Sequence, residues 1–377
     1  MDLSSFELNV DSPISILIGE NGCGKSEILS QLARSSVHEF STVIAIATSV
    51  YDKFPYRNFK KNYHYMGGRL GRFVPREAIK EAISKLYGNY KSDFSALFKI
   101  LDYIKFDHQI GFRILGIAHD FEDILNEIDE LDDVQKDELD RVLFSLNSGK
   151  YNTKSEVLWF NRDSQHLNVA DEFLIELVHM ERILKKYKII KSIDIYLSKD
   201  RRVFPLNKAS SGELSLLSTL IFISSFIDDS SMILIDEPEN SLHPKWQKDY
   251  ISMIMDIFSY YNPKIIAATH SPVVISGLNR ELGVDIHKYS ESGFTLEKGS
   301  AKNAEVIYDE LFDIITPNSR NLSNECADIL NKYSDKKISF LKANAQLDRY
   351  LDKSFDEDQK DFLRGIKSLI SQIKNEV

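Results

Sequence analysis

The sequence predicts an α/β protein built on an open, mainly parallel sheet, with a helical insertion and a helical C-terminal extension. Three observations carry that prediction. A strand-like run, "ISILIGE" (14–20), leads into a glycine-rich turn and then a helical pattern. Two later apolar runs, "MILID" (232–236) and "KIIAATH" (264–270), end in an acid and in a histidine. Runs rich in β-branched residues, without polar alternation, are what strands covered on both faces look like.

The elements follow in order. After the turn, Ile28, Leu29, Leu32 and Ala33 recur at helical spacing, and "TVIAIATSV" (42–50) reads as a fully buried strand. From Tyr51 to Lys80 eight basic residues (Lys53, Arg57, Lys60, Lys61, Arg69, Arg72, Arg76, Lys80) interleave with Phe54, Tyr56, Phe59, Tyr63, Tyr65 and Phe73. This segment could bind nucleic acid, lysines on phosphates and aromatics on bases. It could equally be a solvated loop whose aromatics pack against the core or an adenine. Residues 77–147 read as mostly helical. Within them, 120–140 carries eleven acids and one lysine, with Leu125, Ile128, Leu131 and Val134 marking one buried face. "EVLWF" (156–160) and "SIDIYLS" (192–198) read as strands flanking an amphipathic helix over 171–187. At the C-terminus, Phe362, Leu363, Ile366, Leu369, Ile370 and Ile373 keep helical spacing. Their stripe at Phe362, Ile366, Leu369 and Ile373 needs a cover, either the protein's own core or a partner. The expected division is 1–50, first part of the sheet domain; 51–190, a mostly helical insertion; 191–300, the sheet domain's second part; and 301–377, a helical C-terminal region.

Bulk properties narrow the function. The 377 residues carry 47 lysines and arginines against 57 acids, a net charge of −10, which argues against a surface that coats nucleic acid throughout. The two cysteines, Cys23 and Cys326, lie far apart without metal-ligand neighbours, as suits a reducing cytoplasm. "MDLSSFELNV" lacks the basic and apolar regions of a secretion signal, and no apolar run is long enough to span a membrane. A cytoplasmic protein without membrane contact is expected.

"GENGCGKS", Gly19 to Ser26, matches the phosphate-loop pattern in full, between a predicted strand and a predicted helix. The backbone of Asn21, Gly22, Cys23 and Gly24 can wrap phosphate oxygens at a helix N-terminus, with Lys25 adding a charge. The Ser26 hydroxyl can ligate Mg²⁺. Cys23 reads best as a small side chain filling the loop. In "MILIDEP", Asp236 closes a buried strand where it can hold Mg²⁺, and Glu237 is placed to deprotonate an attacking water. His270, at the next strand's end, faces the crevice where open α/β sheets bind ligands, although a helix cap or core histidine would look the same. Ahead of an apolar helical run stands "SSGE", Ser210-Ser211-Gly212-Glu213, which has the makings of a capping box and of an anion site.

Taken in this order, the phosphate loop, "SSGE", "LIDEPENSLHP" and "THSP" resemble the ABC-type ATPase heads of the SMC, RecF and OLD group. The resemblance covers roughly residues 10–35 and 203–280. It implies ATP and Mg²⁺ as cofactors and a head-to-tail homodimer, in which Ser210 and Gly212 meet the γ-phosphate held by the opposite protomer. It further implies that Asp236 and Glu237 form the Walker B pair, that 239–243 is the D-loop and that His270 is the switch histidine. The chain departs from the family in three ways. The strand that usually precedes the phosphate loop is short, since only "FELNV" and a few residues come before it, the long coiled coil is absent, and no glutamine lies between Gln31 and Gln109 to serve the Q-loop. Asp52 or a tyrosine of the 51–69 stretch could take that place. Short members of this group resemble ATPase subunits of Septu-type and retron-associated anti-phage systems, which work with a separately encoded effector, often a nuclease. A sensor or regulatory ATPase of that kind is the expectation; a RecF-like ATPase that binds DNA itself is the alternative.

Overall fold

A computed structural model describes residues 12–56, 59–70, 74–85, 87, 95–118, 131–148, 156–161, 169–278, 283–290, 293–297, 307–312, 320–354 and 356–376. Eleven strands are assigned among them: β1 (Ile14–Ile18), β2 (Thr42–Ala47), β3 (Tyr63–Gly67), β4 (Gln109–Leu115), β5 (Leu158–Asn161), β6 (Ser192–Lys199), β7 (Arg202–Pro205), β8 (Ser231–Asp236), β9 (Lys264–Thr269), β10 (Val284–Ser290) and β11 (Gly293–Leu296). The helices are α1 (Lys25–Ser36), α2 (Val74–Ser84), α3 (Ser95–Ile104), α4 (Asp133–Asn147), α5 (Val169–His179), α6 (Glu181–Lys186), α7 (Ser211–Phe226), α8 (Pro244–Ile257), α9 (Pro272–Ser276), α10 (Arg320–Ser334), α11 (Phe340–Lys353) and α12 (Glu357–Glu376).

Seven strands form one sheet in the order β11-β10-β1-β9-β8-β2-β3. All its pairings are parallel except β10 with β11. The fold is therefore α/β with a mainly parallel sheet, as the apolar runs implied. Successive side chains of a strand point to opposite faces, and here both faces find a helical cover. Ile14, Ile16, Ile18, Ile44, Ile46, Ile233 and Ile235 join the core shared with α2, α3 and α7. Leu17, Val43, Ala45, Leu234, Ile266 and Ala268 face α1 instead, through Ile28, Leu29 and Ala33. Helix α7 buries Leu216, Leu217, Leu220, Ile221 and Ile223, too many directions for one stripe, because it lies inside the core rather than on its surface.

Two findings depart from the sequence reading. Strand β3 lies within the stretch assigned to the insertion, yet it pairs in parallel with β2, Val43 opposite Tyr63. The stretch expected to be mostly helical over 77–147 also contains β4, the centre of a second, antiparallel sheet ordered β5-β4-β6-β7. Ile110, Phe112 and Ile114 alternate with Gly111 and Arg113, and the apolar set enters the main core. A Cβ on Gly111 would lie 2.3 Å from Val157 and 2.9 Å from the Trp159 ring, so the missing side chain lets neighbouring β5 close in. Much of the acidic run, residues 119–130 with Leu125 and Ile128, lies outside the described residues, as does "FELNV".

The C-terminal helices α10, α11 and α12 build a small core of their own from Leu322, Cys326, Ile329, Ala343, Leu347, Leu363 and Ile370. The stripe singled out in the sequence is thus rotated. Leu363 and Ile370 point inward, while Phe362 and Leu369 remain 41% and 46% exposed. Among the described residues, no helix is long and apolar enough to cross a membrane.

Candidate functional site

The phosphate-loop residues sit at the carboxyl edge of the main sheet, between β1 and α1. Gly22 and Gly24 adopt φ of 84° and 98°, the left-handed region where a glycine costs least. Cys23 is buried inside the turn, and a Cβ on Gly19 would stand 2.7 Å from its sulfur, so the cysteine fills the loop as expected. The Lys25 side chain is buried. Its Nζ donates to the Gly19 carbonyl at 2.7 Å and to the Glu20 carbonyl at 3.0 Å. The ammonium is therefore held above the loop by the loop's own backbone, while Asn21 and Gly22 face solvent.

Beside this loop, β8 ends in Asp236, 2% exposed, with the Ser26 hydroxyl close to its carboxylate. Its Oδ1 is buried and has no hydrogen-bond partner. Burial pushes the Asp236 pKa up to about 6; the nearby Ser26 hydroxyl and the Lys25 charge oppose the rise, and the Glu237 and Asp52 charges add to it. An orphaned carboxylate oxygen beside a hydroxyl suits a hard divalent cation, which favours oxygen ligands and completes its shell with phosphate oxygens and water. Among the described residues no group of three or more His, Cys, Asp or Glu side chains is placed to hold a metal, so such a cation would draw on Ser26, Asp236 and a nucleotide.

Glu237 leaves the strand with φ of 54°, unusual for a residue with a Cβ. Its amide donates to the Ala268 carbonyl at 2.9 Å, its carbonyl accepts the Thr48 hydroxyl at 2.5 Å, and its carboxylate accepts Asn240 Nδ2 at 2.8 Å. Two residues on, buried Glu239 accepts the Thr269 hydroxyl and the His270 amide, both at 2.8 Å. His270 Nδ1 lies 3.1 Å from the same carboxylate, with the side chain 44% exposed. Gln247 ties the 239–242 turn to Ser271 through the Glu239 and Leu242 carbonyls and the Ser271 hydroxyl. The sequence reading placed 239–243 by position only; this network had no signal beyond the types of its residues.

Ser210 caps α7. Its hydroxyl accepts the Glu213 amide at 3.3 Å, and the Glu213 carboxylate accepts the Ser210 amide at 2.9 Å, a complete capping box. Ser210 and Ser211 are exposed, whereas Gly212 is buried. A Cβ on Gly212 would stand 2.8 Å from the Ser241 carbonyl, so this helix start packs on the 239–243 turn of its own chain. Burial raises the Glu213 pKa, but bonds from Lys199 and Ser210 outweigh it and hold the carboxyl below its ordinary value.

The basic-aromatic stretch divides. Phe54, Tyr63 and Tyr65 are buried in the α1-side core. Three of its cations are taken up internally: Arg69 on Asp52, Arg76 on the Ile193 carbonyl, and Lys80 on buried Glu181. Tyr51, Lys53, Tyr56, Lys60 and Lys61 face solvent; Arg57, Arg72 and Phe73 lie outside the described residues. Asp52, suggested as a stand-in for the missing glutamine, has a fully buried carboxylate that accepts from Phe54, Tyr65 and Arg69. It has no face toward a ligand and bears on the site through its charge.

Comparison with known proteins adds a family. A family model described as "AAA domain, putative AbiEii toxin, Type IV TA system" matches residues 73–276, more than half of the chain. The chain belongs to this AAA family. The match takes in "SSGE", Asp236, Glu237 and His270; the phosphate loop precedes it. Among relatives of this AAA protein, the "Retron Vc95 probable ATPase" of Vibrio cholerae serotype O1 biovar El Tor is 26% identical over 184 residues, 43% of this chain and 35% of that protein. "Protein ea59" of Escherichia phage lambda is 36% identical over 70 residues, 19% of this chain and 13% of that one. The chain thus spans about a third or less of the curated relatives it matches. Solved structures with some likeness include the SMC head domain from Thermotoga maritima, at 17% identity and a TM-score of 0.22, over 28% of this chain and 40% of that one. The Smc head domain from Pyrococcus furiosus gives 15% and 0.24, over 64% and 62%. At these scores the fold reading rests on the strand order alone.

Proposed function

We propose that this AAA protein binds ATP with Mg²⁺ and hydrolyses it as a head-to-tail homodimer, serving as the sensor or regulatory subunit of a bacterial anti-phage defence system. The observation that carries the chemistry is the buried, unbonded Asp236 Oδ1 beside Ser26, at the edge where Lys25 is poised. Mg²⁺ on Ser26 and Asp236 would draw off charge from the β- and γ-phosphates. Backbone amides of 21–24 and the Lys25 ammonium grip those phosphates. Glu237 takes the proton of a water whose oxygen attacks the γ-phosphorus, while the bond to the β-phosphate oxygen breaks. His270, held by Glu239, would orient the γ-phosphate. The Ser210–Gly212 helix start, its two serines exposed, offers its amides to the γ-phosphate held by a second copy.

The defence assignment draws on the toxin–antitoxin description of the family and on the retron ATPase among the relatives. The effector, a nuclease by this reading, is a separately encoded partner, as the likeness to a retron ATPase suggests. The test pairs two measurements. Glu237→Gln should bind ATP, turn it over slowly and accumulate an ATP-dependent dimer by light scattering. Cells carrying the gene with its genomic neighbours should lose phage protection when Lys25→Ala replaces the wild type. Wild-type turnover in the first variant removes the hydrolysis reading, no protection with the wild-type gene removes the defence reading, and full protection with Lys25→Ala removes its dependence on ATP.

A further inference from the structure

Glu237 follows a buried strand in a left-handed backbone conformation, which a residue with a Cβ rarely adopts. Such a conformation persists only where neighbours hold it. From the β9 side the Ala268 carbonyl takes its amide. On the other side its carbonyl is taken by the Thr48 hydroxyl at 2.5 Å, with the Asn240 amide at 3.3 Å. Thr48 also donates its own amide to the Asp236 carbonyl at 3.4 Å. It stands one residue beyond Ala47, which pairs with Asp236 in register. Thr48 therefore grips the peptide units of both acids at once.

What fixes Thr48 is the segment after it. Four residues on, the Asp52 carboxylate accepts the Phe54 amide at 3.1 Å, the Tyr65 hydroxyl at 2.7 Å, and Arg69 through Nε at 3.0 Å and Nη2 at 2.6 Å. Arg69 Nη2 also donates to the Phe54 carbonyl at 2.8 Å. A bidentate pair around a fully buried carboxylate has little geometric freedom, so the 48–56 segment is fastened to β3 and the turn after it.

We propose that Thr48 is a positioning residue for hydrolysis, setting the direction of the Glu237 carboxylate through its carbonyl, with the Asp52–Arg69 pair as the anchor. The proposal rests on Glu237 acting as the water-activating group. The segment links that group to β3, and through Arg69 to the chain leading into α2, so a shift there alters turnover without touching the nucleotide.

The test compares Thr48→Val, which keeps the volume and loses the hydroxyl, with Thr48→Ser, which keeps the hydroxyl. Steady-state ATPase is measured for both, for Glu237→Gln, and for Thr48→Val combined with Glu237→Gln. Expected are a fall in kcat of about tenfold for Val with KM within about twofold, and recovery by Ser. The double variant should be no slower than Glu237→Gln alone, since Thr48 acts through the group already removed. Should the Val protein not fold, Thr48→Ala takes its place in each comparison. Wild-type kcat in the hydroxyl-free variant, equal losses in Val and Ser, or additive losses in the double variant would overturn the proposal. Wild-type turnover in Glu237→Gln would instead remove the catalytic reading beneath it.

Discussion

Glu239 holds His270 twice: one carboxylate oxygen accepts the His270 amide at 2.8 Å and lies 3.1 Å from its ring Nδ1. The other oxygen accepts the Thr269 hydroxyl. A buried carboxylate with two donors, the Thr269 hydroxyl and the His270 amide, cannot be removed without stranding them. Glu239→Ala should destabilise the protein by about 2 kcal/mol in denaturant unfolding and lower turnover as well. His270→Ala, at a half-exposed side chain, should lower turnover at nearly unchanged stability. Equal stability losses in the two variants would make the pair a structural clasp only.

Lys25 folds back on the Gly19 and Glu20 carbonyls, so it contributes something to the loop before any nucleotide arrives. Removing it leaves both carbonyls at an open turn where water can reach them. Lys25→Ala should therefore weaken ATP binding by about 100-fold in equilibrium titration and leave the melting temperature within a few degrees. Normal ATP affinity in this variant would dismiss the phosphate-loop reading.

At Ser210 the cap and the proposed trans contact can be separated. Ser210→Ala removes a capping hydroxyl and should cost about 1 kcal/mol of stability. Ser210→Thr keeps the cap and should restore that stability. Ser210→Arg places bulk and charge where a second copy would approach, so it should spare ATP binding by each chain and block turnover. If Ser210→Arg lowers only the melting temperature and leaves specific activity intact, the residue is a cap and nothing else.

His64 provides a pH dependence. Stacked on Phe226 with ring centroids 3.8 Å apart, it has its pKa lowered from 6.5 to about 4, by burial first and then by Lys85. Above pH 6.5 the ring is neutral folded or unfolded. Between there and about 4 the unfolded chain takes up a proton that the folded chain refuses, so stability is lost as the pH falls. Thermal melts at pH 7 and pH 5 should show a smaller drop for His64→Phe than for the wild type. Identical drops would place the acid sensitivity elsewhere.

The sequence by itself determined whatever is contiguous. The phosphate loop, the Ser210–Glu213 cap and the apolar runs of β1, β2, β8 and β9 are each set by neighbours within a few residues, through glycine geometry, capping hydrogen bonds and two-sided burial. Gln109–Leu115 was legible in principle from its alternation but was obscured by the helical patterns on either side of it. Only tertiary structure decided the rest, because a side chain's role there depends on what distant strands bring to it. Tyr65 and Arg69 look like a nucleic-acid surface until β3 pairs with β2 and turns them onto Asp52. Thr48 is an unremarked strand end until parallel register sets Ala47 opposite Asp236. In the last helix the 3-4 spacing leaves two overlapping stripes, and only packing against α10 and α11 chooses Leu363 and Ile370 over Phe362 and Leu369. Period and local chemistry are written in the chain; which face is covered, and by what, is settled by contacts between residues from about ten to nearly two hundred positions apart.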